Sequence, residues 1–234
     1  MFSYYGSKSK VVDCYPKPKQ DIIIEPFAGS ARYALKWFDR KVILNDRYKT
    51  VIEVWQYLKE VSETELMQLC KLNLTYRLSD IIAKGSVEYN FLGFLTQAGQ
   101  GSPADTLSSM RDADYFRTQI KQIAKQLFKI RHWQFTNVSY DEIENQNATW
   151  FIDPPYQFGG EHQYRFNNKT IDFVKLAEWC RARQGQIIVC ENTKANWMEF
   201  KPMQKMNGTA YTTTEAIWSN EKTAFDNEQI LLQF

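Results

Sequence analysis

Four consecutive residues, Asp153-Pro154-Pro155-Tyr156, combine groups that together could hold an amino group. They follow the apolar run 149–152, which predicts a buried strand, and two successive prolines cannot continue a sheet. The carboxylate therefore stands at a strand end, on a stiff turn with a tyrosine ring directly behind it. A carboxylate, a rigid backbone carbonyl and a flat ring together suit an amine attached to a planar heterocycle. For the tetrapeptide alone, an ordinary strand-ending turn is the alternative interpretation.

A second candidate is the turn Pro26-Phe27-Ala28-Gly29-Ser30, which follows a predicted strand over 21–25. Ligands of open parallel sheets bind beyond the carboxyl ends of the strands, and glycine lets the backbone approach a ligand closely. The turn lacks the full glycine pattern of a dinucleotide site, so an NAD site is not predicted. A tight packing turn is the alternative.

Two further polar positions are candidates for binding a ligand. Asp46 follows the predicted strand 41–45, and an acidic residue at this place commonly accepts hydrogen bonds from ribose hydroxyls. A helix N-cap is the alternative for it. Near the start of the chain, Gly6 lies between Tyr5 and Lys8 in a segment that could close over a ligand, with the lysine facing a carboxylate or phosphate. A floppy basic terminus is the alternative.

The elements that must position these residues form two α/β blocks. A middle segment without this alternation separates them. In the first block, strands 21–25 and 41–45 alternate with helices 32–38 and 50–57, and Ser30 is a possible N-cap. This alternation argues for a parallel sheet with right-handed crossovers. The second block has predicted helices over 115–130 and 171–183, strands over 133–138, 149–152 and 186–191, β-rich stretches near 207–208 and 212–218, and a last strand over 229–234.

The middle of the chain, residues 60–112, does not alternate in this way. It contains a helical stretch over 64–74 and a loop over 93–103 that is rich in glycine, glutamine, serine and proline. Loops of that length are usually functional or mobile. The pattern predicts an insertion over 60–112, mounted on a sheet domain formed by 1–59 and 113–234.

The composition gives no global signal for a polyanionic partner. There are 29 Lys+Arg against 27 Asp+Glu, so the net charge is +2, and a nucleic acid would have to be held by a local patch. The 4 cysteines and 2 histidines lack metal-ligand spacing, so neither a metal site nor a disulfide framework is predicted. No apolar stretch is long enough to span a membrane, and the expected location is a reducing cytoplasm.

The motifs occur in an order that resembles the Dam-like class of DNA adenine-N6 methyltransferases. Asp153 to Tyr156 is identical to the catalytic motif of that class. Other segments resemble its cofactor motifs and its following strands: Tyr5 to Lys8, Glu25 to Ser30, Asn45-Asp46, Ile187 to Asn192 and Glu228 to Leu232. Two departures are a short insertion and Cys190-Glu191-Asn192, which stands where relatives often carry Ser-Asn.

The resemblance implies a Rossmann-like fold, with a mostly parallel twisted sheet, helices on both faces and a target-recognition region in the insertion. It implies S-adenosylmethionine as cofactor, no metal, and double-stranded DNA as partner, with a companion restriction endonuclease as a further possible partner. The implied cofactor-binding residues are Tyr5, Gly6, Lys8, Pro26, Phe27, Ala28, Gly29, Ser30, Asp46 and Asp153. Asp153 and the Pro154 carbonyl are expected to accept hydrogen bonds from the adenine amine, and Tyr156 to stack on a base flipped out of the duplex.

Several residues are candidates for contacts with DNA by their charge, type or position. Lys10, Lys17, Lys19 and Arg111 are candidates for phosphate contacts, and Gln97 and Gln100 for adenine in the major groove. Tyr164 and Arg165 lie in the loop 157–169, which could fold over the flipped base. Two alternatives stay open. One is a methyltransferase of the same fold acting on RNA adenine or a glutamine amide of a protein, and the other is an inactive DNA-binding relic.

Overall fold

The computed structural model describes residues 1–74, 76–97, 99–108, 111–159, 164–207 and 212–226. Within these ranges the strands are β1 (Ile22–Glu25), β2 (Lys41–Asn45), β3 (Gln134–Thr136), β4 (Ala148–Ile152), β5 (Gly185–Asn192), β6 (Lys201–Asn207) and β7 (Thr212–Ser219). The helices are α1 (Arg32–Lys36), α2 (Lys49–Glu60), α3 (Glu63–Gln68), α4 (Val87–Thr96), α5 (Ala113–Ala124) and α6 (Phe173–Arg181).

The strands form one sheet in the order β3-β2-β1-β4-β5-β7-β6. β1 pairs in parallel with both β2 and β4, so Ile24 lies between Ile43 and Trp150. Among the strands of the described residues, only β7 runs antiparallel to the others, and it pairs with β5 and β6. From β1 the chain first adds β2 and β3 on one side of the sheet and then β4 and β5 on the other side. The gap between β1 and β4 is therefore a topological switch point, where ligands of open α/β sheets bind. The mostly parallel sheet of the prediction is confirmed.

Helices cover both faces of the sheet, and the central strands alternate between two cores. Ile23 and Phe151 pack into the larger core, which includes residues of α2, α4 and α5. Ile24 and Ile152 pack into a second core together with Leu176 of α6. Because successive side chains of a strand point to opposite faces, strands buried on both sides are continuously apolar. The helices on both faces are therefore also confirmed.

The start of α1 differs from the prediction. The N-cap is Ala31 rather than Ser30, and its backbone is left-handed with φ of 45°. The Ser30 hydroxyl instead donates a hydrogen bond to the Ser7 hydroxyl at 3.1 Å, and the Ala31 N–H closes a turn onto the Ala28 carbonyl at 2.7 Å. The prediction of Ser30 as N-cap was wrong, and its hydroxyl connects α1 to the N-terminal segment.

The predicted loop over 93–103 begins later than expected. Residues 93–96 form the buried last turn of α4. A side chain on Gly93 would place its Cβ 2.7 Å from Cβ of Pro103, so this glycine is needed for close packing rather than for a loop. Phe94 of the same turn stacks on Phe2, with ring centroids 5.1 Å apart. The N-terminal segment and the insertion thus share one core, and the domain boundaries stay a prediction.

Other element boundaries shift at their ends. The helix predicted over 115–130 is α5, which ends at Ala124 and is followed by a 3₁₀ turn over Leu127–Ile130. The last predicted strand, 229–234, lies outside the described residues, as does Gly208.

Candidate active site

A cleft of about 910 Å³, including its open mouth, lies at the carboxyl ends of β1, β2 and β4. All ten residues that the sequence proposed for cofactor binding line it, as does Tyr164 from the proposed DNA contacts. They come from five separate parts of the chain, and the switch point between β1 and β4 brings them together.

The turn after β1 is held in place by the strand and helix beside it. The Ala28 N–H donates to the Asn45 carbonyl at 2.9 Å, and the Trp55 indole donates to the Gly29 carbonyl at 2.9 Å. Gly29 has φ of 44°, and an added Cβ would lie 2.9 Å from Cδ1 of Tyr4. Gly29 therefore serves both the left-handed backbone and the close approach of the Tyr4 ring.

Asp46 links this turn to the start of α2. Its Oδ2 accepts a hydrogen bond from the Gly29 N–H at 3.0 Å, and its Oδ1 accepts one from the Tyr48 N–H at 2.8 Å. Burial raises the pKa of Asp46 to about 6, although both hydrogen bonds act to lower it. The N-cap position of α2 is Tyr48, so the interpretation of Asp46 as a helix N-cap was wrong.

The N-terminal segment is packed rather than floppy. Phe2 is fully buried, and the Arg32 guanidinium donates hydrogen bonds to the Phe2 carbonyl at 3.2 Å and to the Ser7 hydroxyl at 3.1 Å. Gly6 has φ of 72°, and a Cβ there would lie 2.5 Å from the hydroxyl of Tyr164. The segment thus forms a wall of the cleft.

Asp153 is paired with Lys8 across the cleft. Nζ of Lys8 lies 2.8 Å from Oδ1 of Asp153, and it also donates to the Gly6 carbonyl at 3.2 Å. Burial raises the pKa of Asp153 to about 6, the ammonium of Lys8 opposes this rise, and Glu215 adds to it. Burial acts to lower the pKa of Lys8, but Asp153 and Glu215 outweigh it and hold that pKa above its ordinary range. That Lys8 binds a cofactor carboxylate or phosphate stays a prediction, and in this arrangement it faces carboxylates of the protein.

Tyr156 is fixed from behind the turn 153–156. Its hydroxyl donates to the carboxylate of Glu215, and Nζ of Lys8 lies over its ring at 4.5 Å from the centroid. Pro154 is buried, and Pro155 lines the cleft. The ring therefore has a defined orientation beside Asp153.

Three buried carboxyl groups around the site were not among the proposed site residues. Glu25 accepts a hydrogen bond from the Ala34 N–H at 2.6 Å, and burial raises its pKa to about 8. Glu191 accepts hydrogen bonds from the Gln157 N–H at 2.5 Å and the Trp197 indole at 3.2 Å, so it anchors the chain that leaves the turn 153–156. Burial raises its pKa to about 7. The third is Glu215 on β7. A glutamate inside an otherwise apolar strand was the available signal for Glu191.

The glutamines proposed to read adenine bond within the insertion. Nε2 of Gln100 donates to Oε1 of Gln97 at 3.0 Å, and Nε2 of Gln97 donates to the Thr106 carbonyl at 3.2 Å. Nη1 of Arg111 likewise donates to the Leu95 carbonyl at 2.6 Å. That Gln97, Gln100 and Arg111 contact DNA stays a prediction. Each contact would require the side chain to give up the hydrogen bond that it makes within the protein.

The remaining proposed DNA contacts lie at or near the mouth of the cleft or on the surface. Tyr164 packs edge-on against Tyr5, with ring centroids 5.1 Å apart. Lys10 and Arg165 are exposed, and so is Lys19, which forms an ion pair with Glu221. The chain that follows the turn 153–156 therefore returns to the cleft at Tyr164.

The described ranges contain neither a cluster suited to a metal ion nor a helix suited to a membrane. No group of three or more His, Cys, Asp and Glu residues there could hold a metal ion. In the same part of the chain, no helix has both the length and the apolar character needed to cross a bilayer.

The buried carboxyl groups give the folded protein a predicted pH dependence. Burial raises the pKa of Glu25 to about 8, of Glu191 to about 7, and of Asp46 and Asp153 to about 6. A pKa above its unfolded value means that the folded state binds more protons, so stability falls as pH rises through this range. The amine of Met1, whose pKa burial lowers to about 5, opposes the trend as a single group. We expect a lower free energy of unfolding at pH 8 than at pH 5.

Urea unfolding of the ligand-free protein at both pH values measures this difference. The variant Glu25→Gln removes the carboxyl with the highest pKa of the four, and it should show a smaller difference between the two pH values than the wild type. A wild-type protein that is equally stable at both pH values would contradict the expectation.

A comparison with protein families matches one part of the chain, which includes several residues that line the cleft. Residues 4–81 match the family model described as D12 class N6 adenine-specific DNA methyltransferase. The matched segment contains the Tyr5 to Lys8 element, the turn after β1 and Asp46. The resemblance to this class is therefore confirmed over these residues, and it supports a methyltransferase.

Two solved structures are similar at low identity. A candidate methylase from Haemophilus influenzae is 12% identical, with 87% of this chain and 88% of that chain covered and a TM-score of 0.38. A candidate methyltransferase from Escherichia coli is 11% identical, with 92% and 81% covered and a TM-score of 0.36. Similarity at this level supports no conclusion about this chain. None of the curated proteins compared with the chain matches it.

Proposed function

We propose that this protein transfers a methyl group from S-adenosylmethionine to the N6 amino group of an adenine flipped out of double-stranded DNA. The proposal rests on one observation: three groups from different parts of the chain line the same cleft. The carboxylate of Asp153, the turn around Gly29 and the carboxylate of Asp46 all line it. A methyl donor held by the last two would lie beside the carboxylate that holds the acceptor amine.

The residues of the cleft fit the cofactor by their chemistry. Each oxygen of Asp46 accepts one backbone N–H, and a carboxylate oxygen has a second lone pair that a ribose hydroxyl can use. Gly29, with φ of 44°, gives the turn a backbone conformation that residues with a side chain rarely adopt, and its own N–H is held by Asp46. Phe27 and Tyr140 place two rings in the same wall, with centroids 5.6 Å apart. When bound, S-adenosylmethionine supplies an electrophilic methyl group.

The catalytic turn supplies the acceptors for the other reactant. The lone pair of an adenine amine is delocalised into the ring, so the amine must be held in an attacking orientation. The Asp153 carboxylate and the Pro154 carbonyl accept hydrogen bonds from its two N–H groups, and both stabilise the positive charge that grows on nitrogen as the nitrogen–methyl bond forms and the methyl–sulfur bond breaks. S-adenosylhomocysteine is the leaving group, and the methylated nitrogen then loses its extra proton to solvent. Tyr156 stacks on the base. Positioning and electrostatics therefore supply the rate, and no covalent intermediate is needed.

The variant Asp46→Asn tests the cofactor site. An amide keeps the shape but points a donor at the N–H of Gly29 or Tyr48, so we expect the affinity for S-adenosylmethionine to fall about 10–100-fold. Isothermal titration calorimetry measures it. Asp21→Ala is the matched control, because Asp21 is exposed on the surface and should leave the affinity within about twofold. Equal affinities for wild type and Asp46→Asn would exclude Asp46 from the cofactor site.

The two alternatives differ from this proposal in which molecule, if any, accepts the methyl group. RNA adenine and a glutamine amide also present an amine to Asp153, so duplex DNA, RNA and glutamine peptides should be compared as acceptors of labelled methyl. The family match at residues 4–81 favours DNA. An inactive relic would transfer label to none of them. A companion endonuclease stays a prediction from the resemblance.

A further inference from the structure

Behind the catalytic turn, two carboxylates share one ammonium. Nζ of Lys8 lies 2.8 Å from Oδ1 of Asp153 and 3.5 Å from Oε1 of Glu215. Oε1 of Glu215 also accepts the hydroxyls of Tyr15, at 2.6 Å, and of Tyr156. The side chains of Lys8 and Glu215 are 8% and 7% exposed, so neither charge is screened by bulk water. The proposed reaction uses Asp153 and Tyr156 and gives no task to Glu215.

Lys8 occupies the place that the target amine needs. Its ammonium bonds to Asp153 and lies over the ring of Tyr156, at 4.5 Å from the centroid. A base stacked on that ring, with its amine on the same carboxylate, would overlap Nζ. Entry of the base therefore requires Lys8 to move away from Asp153.

A buried ammonium cannot simply be released, because an unpaired charge in such a place is strongly unfavourable. Glu215 is the second carboxylate within reach, and a shift of about 1 Å toward Oε1 would bring Nζ to hydrogen-bond distance. The ammonium would then stay paired while Asp153 becomes free for the amine. The Tyr156 hydroxyl already bonds to Glu215, so the ring would keep its orientation.

We propose that Glu215 is a positioning residue that receives the ammonium of Lys8 when the target amine binds to Asp153. The inference rests on the proposed function, because it takes the entering group to be an amine that stacks on Tyr156. Without Glu215, Lys8 would stay on Asp153 and compete with the substrate.

The variant Glu215→Gln keeps an acceptor for both tyrosines and removes the charge. We expect KM for an adenine-containing duplex to rise about tenfold, while kcat and the affinity for S-adenosylmethionine change less than about threefold. Because Glu215 raises the pKa of Asp153, the acid limb of the profile of kcat/KM against pH should move to lower pH. Tyr15→Phe is the control, since it removes one hydrogen bond to Glu215 without changing the charge. It should leave KM and the acid limb at their wild-type values. Equal KM values for Glu215→Gln and Tyr15→Phe would overturn the proposal.

A crystal structure of the wild type with S-adenosylhomocysteine and an adenine-containing duplex tests the same step without a variant that could misfold. We expect Lys8 to bond to Glu215 while the adenine amine bonds to Asp153. An amine on Asp153 with Lys8 still bonded to the same carboxylate would overturn this inference and leave the proposed function intact. A duplex bound with no base against Asp153 would overturn both.

Discussion

Replacing Asp153 by alanine is expected to lower kcat for methyl transfer about 10²–10³-fold, the effect of removing one pre-organised partner of a transition-state charge. The carboxylate stands at the end of β4 and lines the cleft, so it can hold the amine and stabilise the charge on its nitrogen. The affinity for S-adenosylmethionine should fall less than about tenfold, because Asp46 and the turn around Gly29 remain. Single-turnover transfer of labelled methyl to DNA measures the rate.

Asp153→Asn provides the matched comparison. Asparagine keeps one carbonyl acceptor but loses the charge and points an amide donor toward the amine or toward Lys8. Its rate should lie between those of wild type and Asp153→Ala. A rate for Asp153→Ala within tenfold of wild type, with cofactor binding intact, would show that this carboxylate does not hold the reacting amine.

The second large effect is expected at Gly29. Alanine there must adopt φ of 44°, and its Cβ would lie 2.9 Å from Cδ1 of Tyr4. The ring of Tyr4 packs against Phe94, so it cannot retreat freely. We expect Gly29→Ala to lose about 1–3 kcal/mol of stability through strain and overpacking. Because the turn itself is displaced, the affinity for S-adenosylmethionine should fall at least about tenfold.

Gly85→Ala separates backbone strain from the clash. Gly85 also has a positive φ, of 87°, but an added Cβ there meets no atom within 4 Å. This control should lose stability through backbone strain alone and bind the cofactor as wild type does. Calorimetry and urea unfolding of both variants give the comparison. Equal cofactor affinities for Gly29→Ala and Gly85→Ala would show that the turn after β1 does not bind the cofactor.

The sheet was predictable because each central strand is a short, continuous run of apolar residues in the sequence. Ile23 and Ile24 are both apolar because they enter opposite cores, and the same holds for Phe151 and Ile152. The proline-rich end of β4 then gave the place of Asp153. Gly93 was wrongly predicted to lie in a loop. The residue type alone does not distinguish a glycine that permits close packing in a helix from one that permits a turn. Only its contact with Pro103 distinguishes the two.

The buried charges behind the site were not predictable from local sequence. Tyr15 and Glu215 bond to each other across 200 residues of separation. Glu215 lies on β7, which pairs with β5 in the antiparallel direction, and no motif near it indicates that it contacts Lys8 and Tyr156. The sequence predicted that Lys8 faces a carboxylate or phosphate of a ligand, because its charge lies in a segment with Gly6 that could close over a ligand. Its pairing with Asp153 depends on folding the N-terminal segment against the end of β4.

The identity of the methylated nucleoside tests the central claim most directly. Duplex DNA incubated with the protein and methyl-labelled S-adenosylmethionine is digested to nucleosides and separated by chromatography. The account predicts that the label elutes with N6-methyldeoxyadenosine and is lost with Asp153→Ala. Label in a methylated cytosine, or label transferred to RNA or peptide but not to DNA, would contradict it.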